Sequence, residues 1–103
     1  MNNNHWVFPI HARDFHEAVG IATPFSTWIK TCIRVHHLVE GDCYWLEQEW
    51  SPESSRNRAC YDLQFWIAKA IAERMKGEKR QRAFSYLADT VKEAQRRGWY
   101  LHT

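Results

Sequence analysis

Residues 12–20, ARDFHEAVG, and residues 24–29, PFSTWI, predict two short amphipathic helices joined by a glycine turn. Apolar residues in the first stretch recur as on one face of a helix, at Ala12, Phe15, Ala18 and Val19. Gly20 can take the left-handed conformation that ends many helices, and Thr23 can cap the next helix with Pro24 at its first position. The same spacing continues at Phe25, Trp28, Ile29, Cys32 and Ile33. We expect Trp28 and Ile29 to be buried between the two helices.

This pair of helices has a functional and a purely structural interpretation. Two helices joined by a tight turn within about 25 residues form the helix-turn-helix, which reads DNA with its second helix. Any compact pair of helices has the same spacing, so a structural role stays open. If the second helix reads DNA, its polar side faces a groove with Ser26, Thr27, Lys30, Thr31 and Arg34.

The segments on either side of the helix pair predict extended structure. Residues 6–10, WVFPI, are apolar, and we expect a strand or an extended arm that ends at Pro9. A turn is expected at residues 37–42. After it, Tyr44, Leu46 and Trp50 alternate with Trp45, Glu47 and Glu49, which predicts a half-buried strand with one polar face.

A hairpin is expected next. Residues 51–58 have the composition of a turn, and residues 59–61 return as a partner strand. The tip would then carry Arg56 and Arg58. It is either a wing that lies along a DNA backbone or an ordinary loop with solubilising arginines.

Two further helices are expected in the C-terminal part. Asp62 can cap the third helix, whose apolar face comprises Leu63, Trp66, Ile67, Ala70, Ile71 and Met75. Gly77 interrupts this helix, and a fourth helix follows from Glu78 to Arg97 with Gly98 as its stop. Its apolar stripe comprises Phe84, Leu87, Ala88, Val91 and Gln95. A helix pair, a hairpin and a second helix pair make an α+β fold.

The fourth helix and the chain after it predict self-association. Beyond Gly98 the chain is apolar, with Trp99, Tyr100 and Leu101. The third helix can cover only one apolar stripe, so either this tail closes over the core or a second copy does. Because proteins that read two-fold DNA sites gain from being dimers, we expect a homodimer with residues 84–101 in its interface.

A length of 103 residues, 45% of them hydrophobic and 15% aromatic, is typical of one globular domain. We expect this domain to span residues 1–103, with residues 1–5 flexible. The net charge of +2 is unevenly distributed, since residues 1–55 are mainly acidic and residues 56–103 mainly basic. The densest basic stretch is residues 74–82. Such a surface fits nucleic acid or an acidic protein, or it pairs with the chain's own acidic half.

The residues needed for catalysis, metal binding or export are sparse or badly spaced. The three cysteines, Cys32, Cys43 and Cys60, form no CxxC pair, and their odd number without a signal peptide favours reduced thiols. Cys32 and His36 have helical spacing but fall short of a four-ligand zinc site. No nucleophile motif or phosphate-binding glycine loop accompanies the histidines, and no apolar run has the length of a membrane span. We therefore expect no enzyme activity, no cofactor, no bound metal and no membrane partner.

Five pieces of sequence occur in a characteristic order: ARDFHEAVG (12–20), FSTWI (25–29), LVEGDCY (38–44), a helix beginning YDL (61–72) and GEKRQRAF (77–84). Together they resemble the AntA/AntB family of bacteriophage antirepressor domains, and the resemblance spans about residues 8–90. The chain departs from the family pattern at Phe15, where leucine is usual, at Cys43–Tyr44, where a single aromatic residue is common, and at Ala83, where an aromatic residue is usual.

The resemblance implies a phage or prophage regulator that relieves lysogenic repression in the cytoplasm of the bacterial host. Members of the family are usually longer than this chain and carry a second, C-terminal domain. The resemblance leaves the molecular target open, and two mechanisms compete.

In the first mechanism the chain binds DNA, with Ser26, Thr27, Lys30, Arg34, Arg56, Arg58, Lys79, Arg80 and Arg82. In the second it inhibits a repressor, or another phage or host protein such as a defence factor, purely by protein contact and without DNA. The contact residues would then be Trp45, Trp50, Phe84, Leu87, Val91, Trp99, Tyr100 and Leu101. Asp14, Glu17 and Glu40 lie near the proposed reading helix and would repel phosphates, so the two mechanisms stay nearly equal. A structural protein of the virion is a third interpretation.

Overall fold

The computed structural model describes residues 9–53 and 55–98. The helices and strands in chain order are β1 (Pro9–His11), α1 (Ala12–Val19), α2 (Phe25–Val35), β2 (Tyr44–Ser51), β3 (Arg56–Gln64), α3 (Phe65–Glu73) and α4 (Gly77–Arg96). The predicted α+β fold and its order of elements are confirmed. None of the described helices is long and apolar enough to cross a membrane.

The glycine turn between α1 and α2 is confirmed. Gly20 has a φ of +78°, and its N–H donates to the carbonyl oxygens of His16 and Glu17. The predicted cap at Thr23 is wrong, because Pro24 is the N-cap of α2 and no side chain caps it. Instead, His16 Nε2 lies 2.7 Å from the Thr23 carbonyl oxygen, which can only accept a hydrogen bond. The loop is therefore held by α1 through His16.

The three strands form an antiparallel sheet in the order β1-β3-β2. The predicted turn at residues 51–58 is too long. Arg56 and Arg58 already belong to β3, where they lie opposite Ser51 and Glu49, and the turn lies between Ser51 and Arg56. The two arginines therefore lie on the strand and not at the tip of the hairpin.

The prediction of a half-buried β2 holds only at one end of the strand. Tyr44 is buried beside its partner Leu63, whereas Leu46 and Trp50 on the same side of β2 are exposed. The reason is that β1 is short and pairs only with residues 62–64, so the sheet has three strands at one end and two at the other. The two-stranded end of the sheet extends beyond the core.

The predicted cap at Asp62 is also wrong. Asp62 lies in β3, between His11 of β1 and Trp45 of β2, and its Oδ1 lies 2.9 Å from His11 Nδ1. Pairing with β1 continues β3 to Gln64, so α3 begins at Phe65 and Leu63 belongs to the sheet. Of the predicted apolar face of α3, Ile67 and Ile71 are buried and Trp66 is exposed.

The core lies between the sheet and helices α1, α2, α3 and α4. Its largest fully buried side chains are Phe15, Ile10, Ile29, Leu63 and Val19. Ile29 therefore lies where the helix pattern predicts it, whereas Trp28 is only half-buried. The ring of Trp28 lies 6.2 Å from Phe15, 5.2 Å from His16 and 6.1 Å from Phe25, centroid to centroid.

The buried face of α4 overlaps the predicted stripe at Leu87 but is otherwise shifted from it. Its buried residues are Ala83, Leu87 and Ala94, while Phe84 and Val91 are half-buried and Ala88 is exposed. Ala83 lies in the shared core with α1, where its small side chain allows close approach of the two helices. Gly98 has a φ of +87° just beyond the last turn, which confirms it as the residue that ends α4.

Candidate functional site

Arg13 of α1 contacts both α2 and the sheet. Its guanidinium carbon lies 4.3 Å from the centroid of the Phe25 ring in α2, and its Nη2 donates to the Ala59 carbonyl oxygen of β3 at 3.1 Å. Ala59 lies beyond the part of β3 that β1 reaches, so the arginine covers the strand edge where β1 has ended. Arg13 therefore has a structural role that the helix periodicity does not reveal.

His16 has a similar role one turn further along α1. Its ring meets Phe25 edge to face at 5.6 Å, in addition to its contacts with Trp28 and the Thr23 carbonyl. The angle between α1 and α2 is thus fixed by polar side chains of the ARDFHEAVG stretch. In the sequence, this role of Arg13 and His16 is indicated only by their positions on either side of Phe15, which belongs to the apolar face of α1.

The outer face of α2 is polar and open. All five side chains predicted to face DNA are exposed, namely Ser26, Thr27, Lys30, Thr31 and Arg34. The Thr31 hydroxyl donates a hydrogen bond to the Thr27 carbonyl oxygen at 3.0 Å, so this donor is already used within the helix. On the preceding helix, Asp14 and Glu17 are exposed as well, and they reduce the positive potential of the region.

The basic residues predicted to bind nucleic acid on α4 have different environments. Arg82 is engaged at the C-terminus of α1, where its Nη1 donates to the Val19 carbonyl oxygen at 3.4 Å. Its Nη2 donates to Glu78 at 3.2 Å. Arg80 stacks over the Phe84 ring at 5.0 Å, whereas Lys79 is exposed. The positive charge of Arg82 therefore stabilises the negative end of the α1 dipole.

The β2–β3 hairpin, residues 44–64, carries the most exposed aromatic surface in the described part of the chain. Trp50 is 59% exposed, Trp45 38% and Leu46 37%. Of the two arginines predicted on the hairpin, Arg58 is exposed, and the Arg56 side chain lies outside the described part of the structure. Among the described residues, the hairpin therefore exposes two tryptophans and a leucine.

The predicted protein-contact residues on α4 divide into two groups. Leu87 is 3% exposed and belongs to the chain's own core, which leaves little of its surface for a partner. Phe84 and Val91 line a shallow cavity of about 210 Å³ together with Ala88. Trp99, Tyr100 and Leu101 lie outside the described residues.

Two titratable groups near α2 have shifted pKa values. Burial raises the pKa of the Cys32 thiol to about 11, which keeps it protonated and unreactive. Burial, together with the nearby charge of Arg74, lowers the pKa of His36. All three cysteines are free, and in residues 9–53 and 55–98 no three His, Cys, Asp or Glu side chains come together as metal ligands.

Comparison with protein families gives a match that includes both the helix pair and the hairpin. The family model of the AntA/AntB antirepressor matches residues 10–75, which is more than half of the chain. No match was found among curated proteins or among solved structures. Antirepressors are regulatory proteins of bacteriophages. The chain belongs to the AntA/AntB antirepressor family.

Proposed function

We propose that this chain relieves lysogenic repression of a phage or prophage in the bacterial host cytoplasm by contacting a regulatory protein through the β2–β3 hairpin. The observation that carries the proposal is the exposure of Leu46 and Trp50 on one face of the two-stranded end of the sheet, with Trp45 exposed on the opposite face. These side chains are not needed to fill the core, so their apolar area is available to a partner. The natural target is the repressor whose action an antirepressor opposes.

The energetics of protein interfaces favour this site over the α4 face. A few buried tryptophan, tyrosine or arginine side chains supply most of the binding free energy of an interface. Trp50 exposes more of its surface than any other large hydrophobic side chain in the described residues. On α4 the corresponding side chains are already partly covered by the chain's own core.

The proposal is tested by measuring the affinity of the purified chain for the repressor of the same phage after nuclease treatment. We expect Trp50→Ala to weaken binding at least tenfold, as loss of a central tryptophan costs about 2 kcal/mol or more. The matched control is Trp66→Ala, which removes an exposed tryptophan from α3. If the chain does not bind the repressor without DNA, or if both variants bind equally, the proposal is wrong.

DNA binding by α2 is a second candidate, supported by the exposure of all five predicted polar side chains on that helix. Phosphate contacts by Lys30 and Arg34 would make duplex affinity fall steeply with salt, by about 0.9 log units per contact for each log unit of salt. The double variant Lys30→Ala with Arg34→Ala should then reduce that slope by about two. Arg82 is unsuitable for this test because it supports α1. Absence of duplex binding at low salt would exclude the candidate.

A further inference from the structure

The outer edge of β2 is an open edge of the sheet. Strand β2 pairs with β3 on one side only, and in the described part of the chain no strand pairs with its other side beyond the bridge between Glu40 and Tyr44. An unpaired edge presents backbone N–H and C=O groups that can bind another extended chain. Natural edge strands of this kind are usually protected by prolines, lysines or bulges.

The hydrogen bonds define which backbone groups point outwards. The Tyr44 carbonyl oxygen accepts a bond from the Gly41 N–H at 2.7 Å, so it points away from β3. Because backbone direction alternates along an antiparallel strand, the N–H and C=O groups of Leu46, Gln48 and Trp50 point outwards as well. The Ala59 carbonyl oxygen supports this register, since it lies opposite Gln48 and points to the other edge, where Arg13 binds it. Among the described residues, no group bonds the outward N–H groups of β2.

The side chains around this edge are acidic and apolar. Glu40, Asp42, Glu47 and Glu53 are all exposed, and the sequence contains no lysine or arginine from residue 35 to residue 55. Opposite charges on neighbouring strands stabilise pairing, and like charges destabilise it. A second copy of β2 would bring acidic strands together, so the charge pattern disfavours self-pairing.

We propose that the outer edge of β2 binds an extended segment of the partner protein as a fourth antiparallel strand, and that this segment alternates basic and apolar residues. Basic side chains on one face would meet Glu47, and apolar side chains on the other face would meet Leu46 and Trp50. The inference rests on the proposed protein contact at the hairpin and adds its mode and the chemistry of the partner. Backbone bonds supply affinity in such strand addition, and the alternating side chains supply specificity.

The probe for this proposal is the synthetic heptapeptide Lys-Val-Lys-Val-Lys-Val-Lys added to the isotopically labelled full-length protein. We expect hydrogen exchange to slow at the amides of Leu46, Gln48 and Trp50. The matched variants are Gln48→Ala, which removes only the side chain, and Gln48→Pro, which also removes the outward N–H without breaking a bond to β3. Gln48→Ala should bind within about twofold of the parent, and Gln48→Pro at least tenfold more weakly.

Two control peptides keep the test decisive even if Gln48→Pro disturbs the hairpin. A Glu-Val peptide of the same length should not bind, because its charges repel Glu47. The lysine peptide carrying N-methyl groups at its three valines keeps its charge but loses the backbone donors that face β2, and it should bind at least tenfold more weakly. Equal binding of the methylated peptide, equal binding of the acidic peptide, or no protection at about 1 mM lysine peptide would overturn the proposal.

The outcome is separable from that of the proposed function. If Trp50→Ala loses the repressor but the lysine peptide gives no protection, the hairpin contact stands and strand addition is wrong. If the peptide binds the edge and Trp50→Ala still binds the repressor, strand addition stands and the repressor contact lies elsewhere.

Discussion

At the scale of single residues, Arg13 joins three elements through one guanidinium group. It belongs to α1, stacks on Phe25 of α2 and donates to the Ala59 carbonyl oxygen of β3. His16 and Arg82 act in the same manner at the end of α1, where they bond the carbonyl oxygens of Thr23 and Val19. Polar side chains, two of them in the ARDFHEAVG stretch, therefore join α1 to the elements around it.

Replacing Arg13 tests this role. We expect Arg13→Ala to lower the free energy of unfolding by about 2–3 kcal/mol, because it removes a charged hydrogen bond and a cation–π contact. Arg13→Lys should lose less, since it keeps the charge but not the planar group that both stacks and donates. Urea denaturation followed by circular dichroism measures both variants. An unchanged midpoint for Arg13→Ala would contradict the structural role.

At the scale of elements, the α1–α2 unit and the hairpin differ in how their tryptophans are used. Trp28 is surrounded by Phe15, His16 and Phe25, whereas Trp50 lies on the two-stranded end of the sheet. The first contributes to the joint between two helices. The second leaves more than half of its surface exposed in the described part of the chain.

This difference predicts opposite effects on stability and binding. We expect Trp28→Ala to cost about 2–3 kcal/mol of unfolding free energy, less than for a fully buried tryptophan because the side chain is half-buried. Trp50→Ala should change stability by less than about 0.5 kcal/mol, as is usual for exposed sites. Thermal denaturation of the two variants side by side checks this. A larger loss for Trp50→Ala would mean that the hairpin tryptophan supports the fold.

The two parts of the chain were predictable from sequence to different degrees. The α1–Gly20–α2 unit could be predicted, because the helical periodicity and the left-handed glycine are local properties of the sequence. The absence of helix caps at Thr23 and Asp62 could not be predicted, because it depends on other parts of the chain. His16 is hydrogen-bonded to the Thr23 carbonyl oxygen, and Asp62 belongs to the sheet because β3 pairs with β1 there. The roles of Arg13 and Arg82 depend on elements far away along the chain and leave no local pattern.

At the scale of the whole molecule, the arrangement of helices decides which face of α4 is buried. Sequence hydrophobicity favours Phe84 and Val91, but α1 packs closely against α4 where the small residue Ala83 lies in the shared core. Phe84, Ala88 and Val91 consequently line an open cavity on the side of α4. This face remains the place where we expect a second copy of the chain to bind.

Sedimentation velocity at about 30 µM tests the expected homodimer, since this concentration populates dimers with micromolar dissociation constants. We expect the parent chain to sediment as a dimer and Val91→Glu as a monomer, because a charge on the apolar face would be buried in the interface. Lys92→Glu, a charge change at the neighbouring exposed position, should stay dimeric. A monomeric parent chain would exclude the dimer.

A contact through the hairpin and a contact through α2 predict opposite results when the two surfaces are changed separately in cells. Derepression of a reporter under the control of the phage repressor, in cells producing the variants at equal levels, distinguishes them. We expect the double variant Trp45→Ala with Trp50→Ala to lose derepression while remaining folded, and Lys30→Ala with Arg34→Ala to retain it. Loss of derepression in the α2 variant, with full activity in the hairpin variant, would show that the chain acts through α2.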